Sequence, residues 1–260
     1  MVAGVLVTLV SGMLVFFRIF ILGGQPAPNR PWIVQVDSGG SGCTGTIVGR
    51  RAVLTAAHCF TEPEVANVPI QIEGQGTVKA VCRRHNEYET LPISDVAICF
   101  LNDDSTVRPR LVARTATPFN KRPVVFFGFG CVSLNPPVGF GVRRKGKGKA
   151  TVLASGVFEI AGNGVCDGDS GGPVFVDDGH EDDGLVVAVI SDEGYGSDSI
   201  AWSLTQPNTA SWLDRFKGSI CFEGDSGGVC DPAARDHTEL QPHPGVERQA
   251  ASRPQTEVLR

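Results

Sequence analysis

The sequence predicts an all-β fold, a sandwich or a barrel, and three observations support this. Glycine is frequent, with 32 residues in 260, while only 20% of the residues are charged. Between Pro31 and Ser203 the apolar residues fall into short runs rich in Val, Ile and Phe, separated by turn residues. No long helical periodicity interrupts this region. Short, regularly spaced strands with many turns are typical of antiparallel sandwiches and barrels.

Six runs are the clearest candidate strands, because β-branched and aromatic residues favour a pleated, half-buried surface. In chain order they are Trp32–Val36, Gly45–Val48, Ala52–Thr55, Asp95–Ile98, Pro123–Phe127 and Leu185–Ile190. One helix follows them at Pro207–Phe216, and Asn208 or Thr209 is its predicted N-cap.

Length and charge narrow the class of protein. A chain of 260 residues accommodates one large domain or two small ones, and 42% hydrophobic residues provide a substantial core. The formal net charge of −5 argues against a nucleic-acid partner, which favours a basic surface.

Both ends of the chain differ from the middle. Val2–Leu22 is almost wholly apolar, and we interpret 1–20 as a signal peptide or propeptide-like segment, with a membrane anchor as the alternative. Contact with a membrane is expected only if this segment is not cleaved. From residue 218 onward the composition becomes polar, and 218–260 is predicted to be a flexible tail.

Eight cysteines, an even number, favour a disulfide-bonded protein outside the cytoplasm, either secreted or otherwise extracytoplasmic. The alternative is a cytosolic protein with eight reduced thiols. The chain has no CxxC pair and its histidines are scattered, so no metal site is predicted.

Three motifs carry the candidate chemistry: LTAAHC at 54–59, SDVAI at 94–98 and DGDSGGP at 167–173. A serine hydroxyl is a weak nucleophile until an adjacent imidazole takes its proton. The imidazole in turn needs an acceptor that fixes its tautomer. A second GDSGG, at 224–228, lacks the following proline and has no His or Asp motif of its own, so Ser226 is predicted to be non-catalytic.

Together the motifs resemble the chymotrypsin/trypsin-like serine protease family over residues 21–216. The resemblance implies two packed six-stranded antiparallel β-barrels with a C-terminal helix, forming a protease domain at 21–217. It also implies a catalytic triad of His58, Asp95 and Ser170 in the cleft between the barrels.

The same resemblance assigns the oxyanion hole to the backbone N–H groups of Gly168 and Ser170, each donor contributing about 3 kcal/mol to transition-state stabilisation. It further implies a zymogen in which cleavage frees Ile21, whose ammonium then pairs with Asp169. Phe20 precedes Ile21 in place of the usual basic residue, and signal removal is our hypothesis for how Ile21 becomes free.

The primary substrate pocket is assigned to Gly164, Ser191 and Glu193. Gly164 lies six positions before Ser170, where members that prefer Arg or Lys carry aspartate. The segment Ser191-Asp192-Glu193 replaces the usual Ser-Trp-Gly. Its two acids either attract a cationic side chain or face solvent, and the sequence leaves the specificity open.

By resemblance, Cys43 and Cys59 form the bridge beside the catalytic histidine. For the other six cysteines we propose the pairs Cys131–Cys166, Cys82–Cys99 and Cys221–Cys230, although sequence alone leaves the connectivity open. The basic run at 143–149 is predicted to be an exposed loop that enters a strand at Ala150, with an anion-binding patch as the alternative.

The sequence therefore predicts a secreted serine endopeptidase that hydrolyses peptide bonds through an acyl-enzyme on Ser170, without metal or organic cofactor. Its expected partners are protein or peptide substrates and protein protease inhibitors. The alternative is a catalytically silent homologue that acts as a secreted binding protein. An esterase or lipase with G-x-S-x-G on an α/β fold conflicts with the strand-rich pattern.

Overall fold

The structure, a computed structural model, describes residues 21, 24–39, 42–90, 94–115, 120–134, 137–154, 156–179, 184–193 and 199–231. Of residues 134, 154, 192 and 193 it describes the backbone only. The predicted signal segment at 1–20 and the chain beyond 231 lie outside the described residues. Among the residues described, no helix combines the length and the apolar content needed to cross a membrane.

Two closed six-stranded antiparallel β-barrels form the fold, which confirms the predicted architecture. After a short strand β1 (Gln25–Pro26), the first barrel contains the next six strands. These are β2 (Ile33–Val36), β3 (Cys43–Gly49), β4 (Ala52–Thr55), β5 (Glu64–Ile72), β6 (Gly76–Arg84) and β7 (Ala97–Leu101). They pair in the order β2-β3-β4-β7-β6-β5, and β2 closes the barrel against β5.

The second barrel follows a similar plan. Its segment of the chain contains β8 (Pro123–Gly128), β9 (Ser133–Leu134), β10 (Pro137–Val138), β11 (Arg144–Ala154), β12 (Val157–Gly162), β13 (Pro173–Val176), β14 (Ala188–Glu193) and β15 (Ser199–Ser203). The barrel order is β11-β12-β15-β14-β13-β8, closed by pairing of β11 with β8. Strands β9 and β10 form a separate hairpin, and β1 pairs with the start of β11.

All of the basic run at 143–149 except Arg143 belongs to β11, so the prediction of an exposed loop was wrong. Lys147 and Lys149 are exposed, whereas Gly146 is buried and a Cβ there would overlap the Phe126 ring. Successive side chains of a strand point to opposite faces, so the alternation of lysine and glycine is a period-two strand pattern. The glycines make room for large core side chains of the same barrel.

Aromatic side chains fill the region where the barrels meet. Trp32 from the first barrel packs edge-on against Phe127 and Phe175 of the second, with ring centroids 5.5 and 5.4 Å away. Edge-to-face pairs of this kind contribute about 0.5–1.5 kcal/mol each beyond the area they bury. The two barrels are therefore held together by an apolar, aromatic contact.

The C-terminal helix α1 (Pro207–Leu213) begins earlier than its predicted caps. Gln206 is the N-cap and Pro207 the first helical residue, a position that proline favours because its missing N–H is not needed there. The prediction of Asn208 or Thr209 as N-cap was therefore wrong. A 3-10 turn, Asp214–Phe216, continues the helix.

The first part of the predicted tail is packed on the first barrel. Ile220 and Cys221 are fully buried, the N–H of Cys221 donates to the carbonyl of Val48, and Arg50 N–H donates to the carbonyl of Val229. The start of a flexible tail at residue 218 is thus too early, because apolar burial and a disulfide hold the chain as far as Cys230.

Candidate active site

The predicted histidine and aspartate are brought together by one strand pair. Strands β4 and β7 are antiparallel neighbours, and Thr55 lies opposite Ala97. His58 follows Thr55 in a 3-10 turn, Ala57–Cys59, and Asp95 precedes Ala97. Two motifs far apart in sequence therefore meet at the same edge of the first barrel.

Asp95 holds His58 through two hydrogen bonds. The backbone N–H of His58 donates to Oδ1 at 2.8 Å, and Nδ1 lies 2.7 Å from Oδ2. An ionised carboxylate only accepts, so Nδ1 carries the proton and Nε2 is left as the basic nitrogen. The imidazole side chain is 34% exposed, which keeps it accessible from the cleft.

Asp95 itself is only 4% exposed. Burial would raise the pKa of its carboxyl, but the hydrogen bonds and electrostatic attraction of His58, together with a bond from Ser191, outweigh burial and hold the pKa below its usual 3.8. The carboxylate therefore stays ionised at neutral pH.

Ser191 bonds to two of the three candidate catalytic residues, Asp95 and Ser170. Its hydroxyl donates to Oδ2 of Asp95, and its carbonyl oxygen accepts a 3.2 Å hydrogen bond from Oγ of Ser170. The sequence assigned Ser191 to the pocket wall, and in the structure its side chain is buried against Asp95. This support of the triad region was missed, because no local pattern in the sequence links residues 95 and 191.

The loop at 167–172 presents two backbone N–H groups. Cys131 N–H donates to the carbonyl of Asp167, and Gly172 N–H donates to the carbonyl of Asp169. In a trans peptide the C=O and the following N–H point in opposite directions, so the N–H groups of Gly168 and Ser170 are turned away from these contacts. Neither donates to an acceptor in the described part of the chain. Gly168 has φ +92°, a conformation that glycine adopts readily.

Ile21 and Asp169, the predicted activation pair, are both fully buried. The Ile21 side chain joins the core cluster of the second barrel that contains Phe126 and Ile160. The carboxylate of Asp169 accepts N–H bonds from Gly130 at 2.8 Å and from Cys166 at 3.0 Å. In the intact chain the nitrogen of Ile21 is a peptide nitrogen, which carries no charge.

The pocket residues are described only in part. Gly164 is buried, and the side chain of Glu193 lies outside the described residues. Beside Gly164, the buried hydroxyl of Ser199 accepts the N–H of Val165 at 3.0 Å. Ser199 is a further residue that the sequence did not single out, since it is an isolated serine in a strand.

The eight cysteines form four disulfide pairs, the same four proposed from the sequence: Cys43–Cys59, Cys82–Cys99, Cys131–Cys166 and Cys221–Cys230. The first lies beside His58, and the ligand atoms of these three residues are within 4.8 Å of one another. Zinc binds thiolate, and both sulfurs are already joined to each other, so this group is not a built metal site.

A second aspartate that follows the SDVAI motif and the serine of the second GDSGG both lie in other surroundings. Asp104 follows β7 and forms surface ion pairs with Arg50 and Arg51. Ser226 is exposed in the small loop closed by Cys221 and Cys230.

The sequence of the chain matches a known protein family and several known proteins. Residues 21–212 match the family model described as Trypsin. Hypodermin-B of Hypoderma lineatum is 28% identical over 187 residues, covering 60% of this chain and 73% of that protein. Granzyme M of Homo sapiens is 26% identical over 157 residues, covering 56% of this chain and 59% of that protein.

Solved structures agree in fold. A Glu endopeptidase in complex with MPD superposes with a TM-score of 0.63 at 17% identity, covering 75% of this chain and 96% of that one. An inactivated protease paralogue of the scabies mite superposes with a TM-score of 0.62 at 18% identity, covering 77% and 99%.

Proposed function

The chain belongs to the trypsin family, and from this premise we propose that it is a serine endopeptidase with His58, Asp95 and Ser170 as its triad. Ser170 attacks the substrate carbonyl, His58 Nε2 takes the proton of its hydroxyl and later passes it to the leaving amine, and water hydrolyses the acyl-enzyme. Asp95 fixes the imidazole and stabilises the imidazolium.

The contacts of Ser191 are the observation that carries this proposal. Its hydroxyl bonds to Asp95 and its carbonyl bonds to Ser170, so residues from both barrels converge on one point of the cleft. A weak nucleophile requires a base held within reach, and this convergence supports that arrangement.

The N–H groups of Gly168 and Ser170 are proposed to bind the oxyanion. They belong to one short loop and do not donate to any described acceptor. Preorganised donors of this kind stabilise the charge that develops in the transition state, and losing one costs on the order of 100-fold or more in kcat.

We further propose that the protein acts on protein or peptide substrates and is located outside the cytoplasm. Four disulfide pairs favour an oxidising compartment. Gly164 provides no carboxylate at the base of the primary pocket, so a simple preference for Arg or Lys is not expected.

A fluorophosphonate probe with matched serine variants tests the function. Ser170 and Ser226 stand in the same five-letter motif, GDSGG, at 168–172 and 224–228. We expect labelling of the full chain to be abolished by Ser170→Ala and unaffected by Ser226→Ala. Cleavage of a peptide library, blocked by the same probe, then separates a peptidase from an esterase and defines the preferred residue.

A folded chain that neither labels nor cleaves any peptide would overturn the peptidase proposal and favour the silent binding protein. The scabies mite neighbour, an inactivated protease paralogue, makes this outcome worth testing.

A further inference from the structure

Arg144 is a buried cation that the proposed reaction does not use. It is only 3% exposed, at the start of β11. Charged side chains are rarely buried unless they are paired and hydrogen-bonded, because removing a charge from water costs several kcal/mol. We therefore expect Arg144 to be paired with an opposite charge and hydrogen-bonded by its neighbours.

Arg144 lies next to the loop that carries the candidate oxyanion donors. Across the β8–β11 pair it stands opposite Gly128. The carboxylate of Asp169 lies against the backbone of Gly128 and Gly130, where a Cβ on either glycine would overlap it. The Arg144 side chain and the Asp169 carboxylate therefore lie at the same stretch of chain, residues 128–130 at the end of β8.

Gly130 joins the two charged groups directly. Its carbonyl accepts a 3.3 Å bond from Nη1 of Arg144, and its N–H donates at 2.8 Å to Oδ1 of Asp169. The burial of Arg144 lowers the pKa of its guanidinium, and the negative charge of Asp169 acts in the opposite direction. The two charges therefore stabilise each other across one residue.

The guanidinium also holds the chain between β8 and β11. Nη1 donates to the carbonyls of Gly139 at 2.8 Å and Val142 at 3.0 Å. Between these two residues, the Phe140 ring lies against Gly168, 3.5 Å from the position of a Cβ there. Arg144 is thus connected to the 167–172 loop through Gly130 on one side and through Phe140 on the other.

We infer that Arg144 is a positioning residue. Its buried charge holds Asp169 and the 167–172 loop in the conformation that leaves the N–H groups of Gly168 and Ser170 available to an oxyanion, even when Ile21 has no free amino group. This inference rests on the proposed peptidase function. The Gly168 N–H already faces away from the Asp167–Cys131 contact in a chain where Ile21 carries no ammonium. Cleavage before Ile21 is then not required for activity.

The first test identifies the amino terminus of the active species. The full wild-type chain is expressed and labelled with a fluorophosphonate, and the N-terminus of the labelled molecules is determined by intact mass and sequencing. We expect labelling at Ser170 in molecules whose first residue is not Ile21. Labelling confined to molecules that begin at Ile21 would overturn the inference.

The second test uses variants of the charge pair. Arg144→Gln is expected to label on the order of 100-fold more slowly, the cost of a lost oxyanion donor, and Arg144→Lys to recover part of the rate. The matched control is Lys147→Gln, an exposed cation of the same strand, which should label like wild type. Labelling of Arg144→Gln within twofold of wild type contradicts the inference.

A double-mutant cycle with Asp169→Asn separates positioning from general packing. If Arg144 acts through Asp169, Arg144→Gln should slow labelling little further in the Asp169→Asn background. Losses that multiply would show that the two residues act independently, against the inference. Circular dichroism shows whether Arg144→Gln folds. If it does not, the inference is decided by the labelling rate of Arg144→Lys and by the amino terminus of the labelled wild-type protein.

Urea unfolding of the same four proteins distinguishes failure of this inference from failure of the proposed function. If no form of the chain labels or cleaves, the peptidase proposal fails, while a coupling between Arg144 and Asp169 in the free energy of unfolding still supports their pairing. Absence of that coupling overturns the pairing whether or not the chain is an enzyme.

Discussion

The hydroxyl of Thr44, in the first barrel, donates a 2.7 Å hydrogen bond to the carbonyl oxygen of Gly168 in the second. The same hydroxyl accepts the N–H of Phe129 at 3.0 Å. Thr44 is fully buried, and its own N–H donates to the carbonyl of Ser170. One threonine thus aligns the 167–172 loop, which carries the proposed oxyanion donors, with the barrel that carries His58 and Asp95.

Thr44→Val should destabilise the protein and slow catalysis. The change keeps the shape but leaves the Gly168 carbonyl and the Phe129 N–H without their partner, which costs about 1–3 kcal/mol for a buried polar group. We expect kcat for a peptide substrate to fall more than KM changes. Urea unfolding and steady-state kinetics measure both effects.

The control for this change is Thr46→Val on the same strand. Thr46 is equally buried, and its hydroxyl finds no partner among the described residues. This variant should be as stable as wild type or more so. Equal losses in the two variants would show that the inter-barrel bond has no special role.

Ser191→Ala should reduce activity without unfolding the protein. The change removes the hydroxyl bond to Asp95 but keeps the backbone carbonyl that accepts Ser170. One hydrogen bond to a charged group contributes about 1.5–3 kcal/mol, so the pKa of Asp95 should rise and labelling should slow by about 10-fold or more. The rate of fluorophosphonate labelling between pH 5 and 8 measures this. Ser203→Ala, at a buried serine bonded to Thr205, is the control and should label normally.

His85 should make stability depend on pH. It is buried beside Trp212, with ring centroids 4.9 Å apart, and burial lowers its pKa from the usual 6.5 despite raising effects from Asn208 and Glu87. Because the unfolded chain then binds the proton more readily, the stabilisation is complete above pH 6.5 and is lost as the pH falls below 6.5.

His85→Phe keeps an aromatic ring and removes this titration. The free energy of unfolding of wild type should decline relative to the variant below pH 6.5, by up to about 1.4 kcal/mol per pH unit for one proton. Parallel curves for the two proteins between pH 7 and 5 would refute the role of His85.

Gly146→Ala tests why the basic strand alternates with glycine. A Cβ at Gly146 would overlap the ring of the fully buried Phe126, and overpacking of this kind costs about 1–3 kcal/mol. Gly218→Ala is the matched control, since nothing lies within 4 Å of a Cβ there. Thermal unfolding should show a lower midpoint for the first variant only.

Much of the fold could be predicted because its signals are local. Continuous runs such as Ala52–Thr55 and Pro123–Phe127 are strands in the structure, close to the predicted bounds. Strands β5 and β6 were not predicted, because Glu64–Ile72 and Gly76–Arg84 mix polar and apolar residues. Which of their side chains face the core can be recognised only from the closed barrel, which defines the inner face of each strand.

The sequence by itself determined the three motifs, since each consists of neighbouring residues whose types are dictated by the chemistry, and the family resemblance of these motifs implied the two-barrel architecture. Only the tertiary structure decided what Ser191, Thr44 and Arg144 do. Their partners lie on other strands, and Thr44 and Gly168 are 124 positions apart. A residue type specifies which bonds a side chain can make, but the packing of one barrel on the other selects its partner.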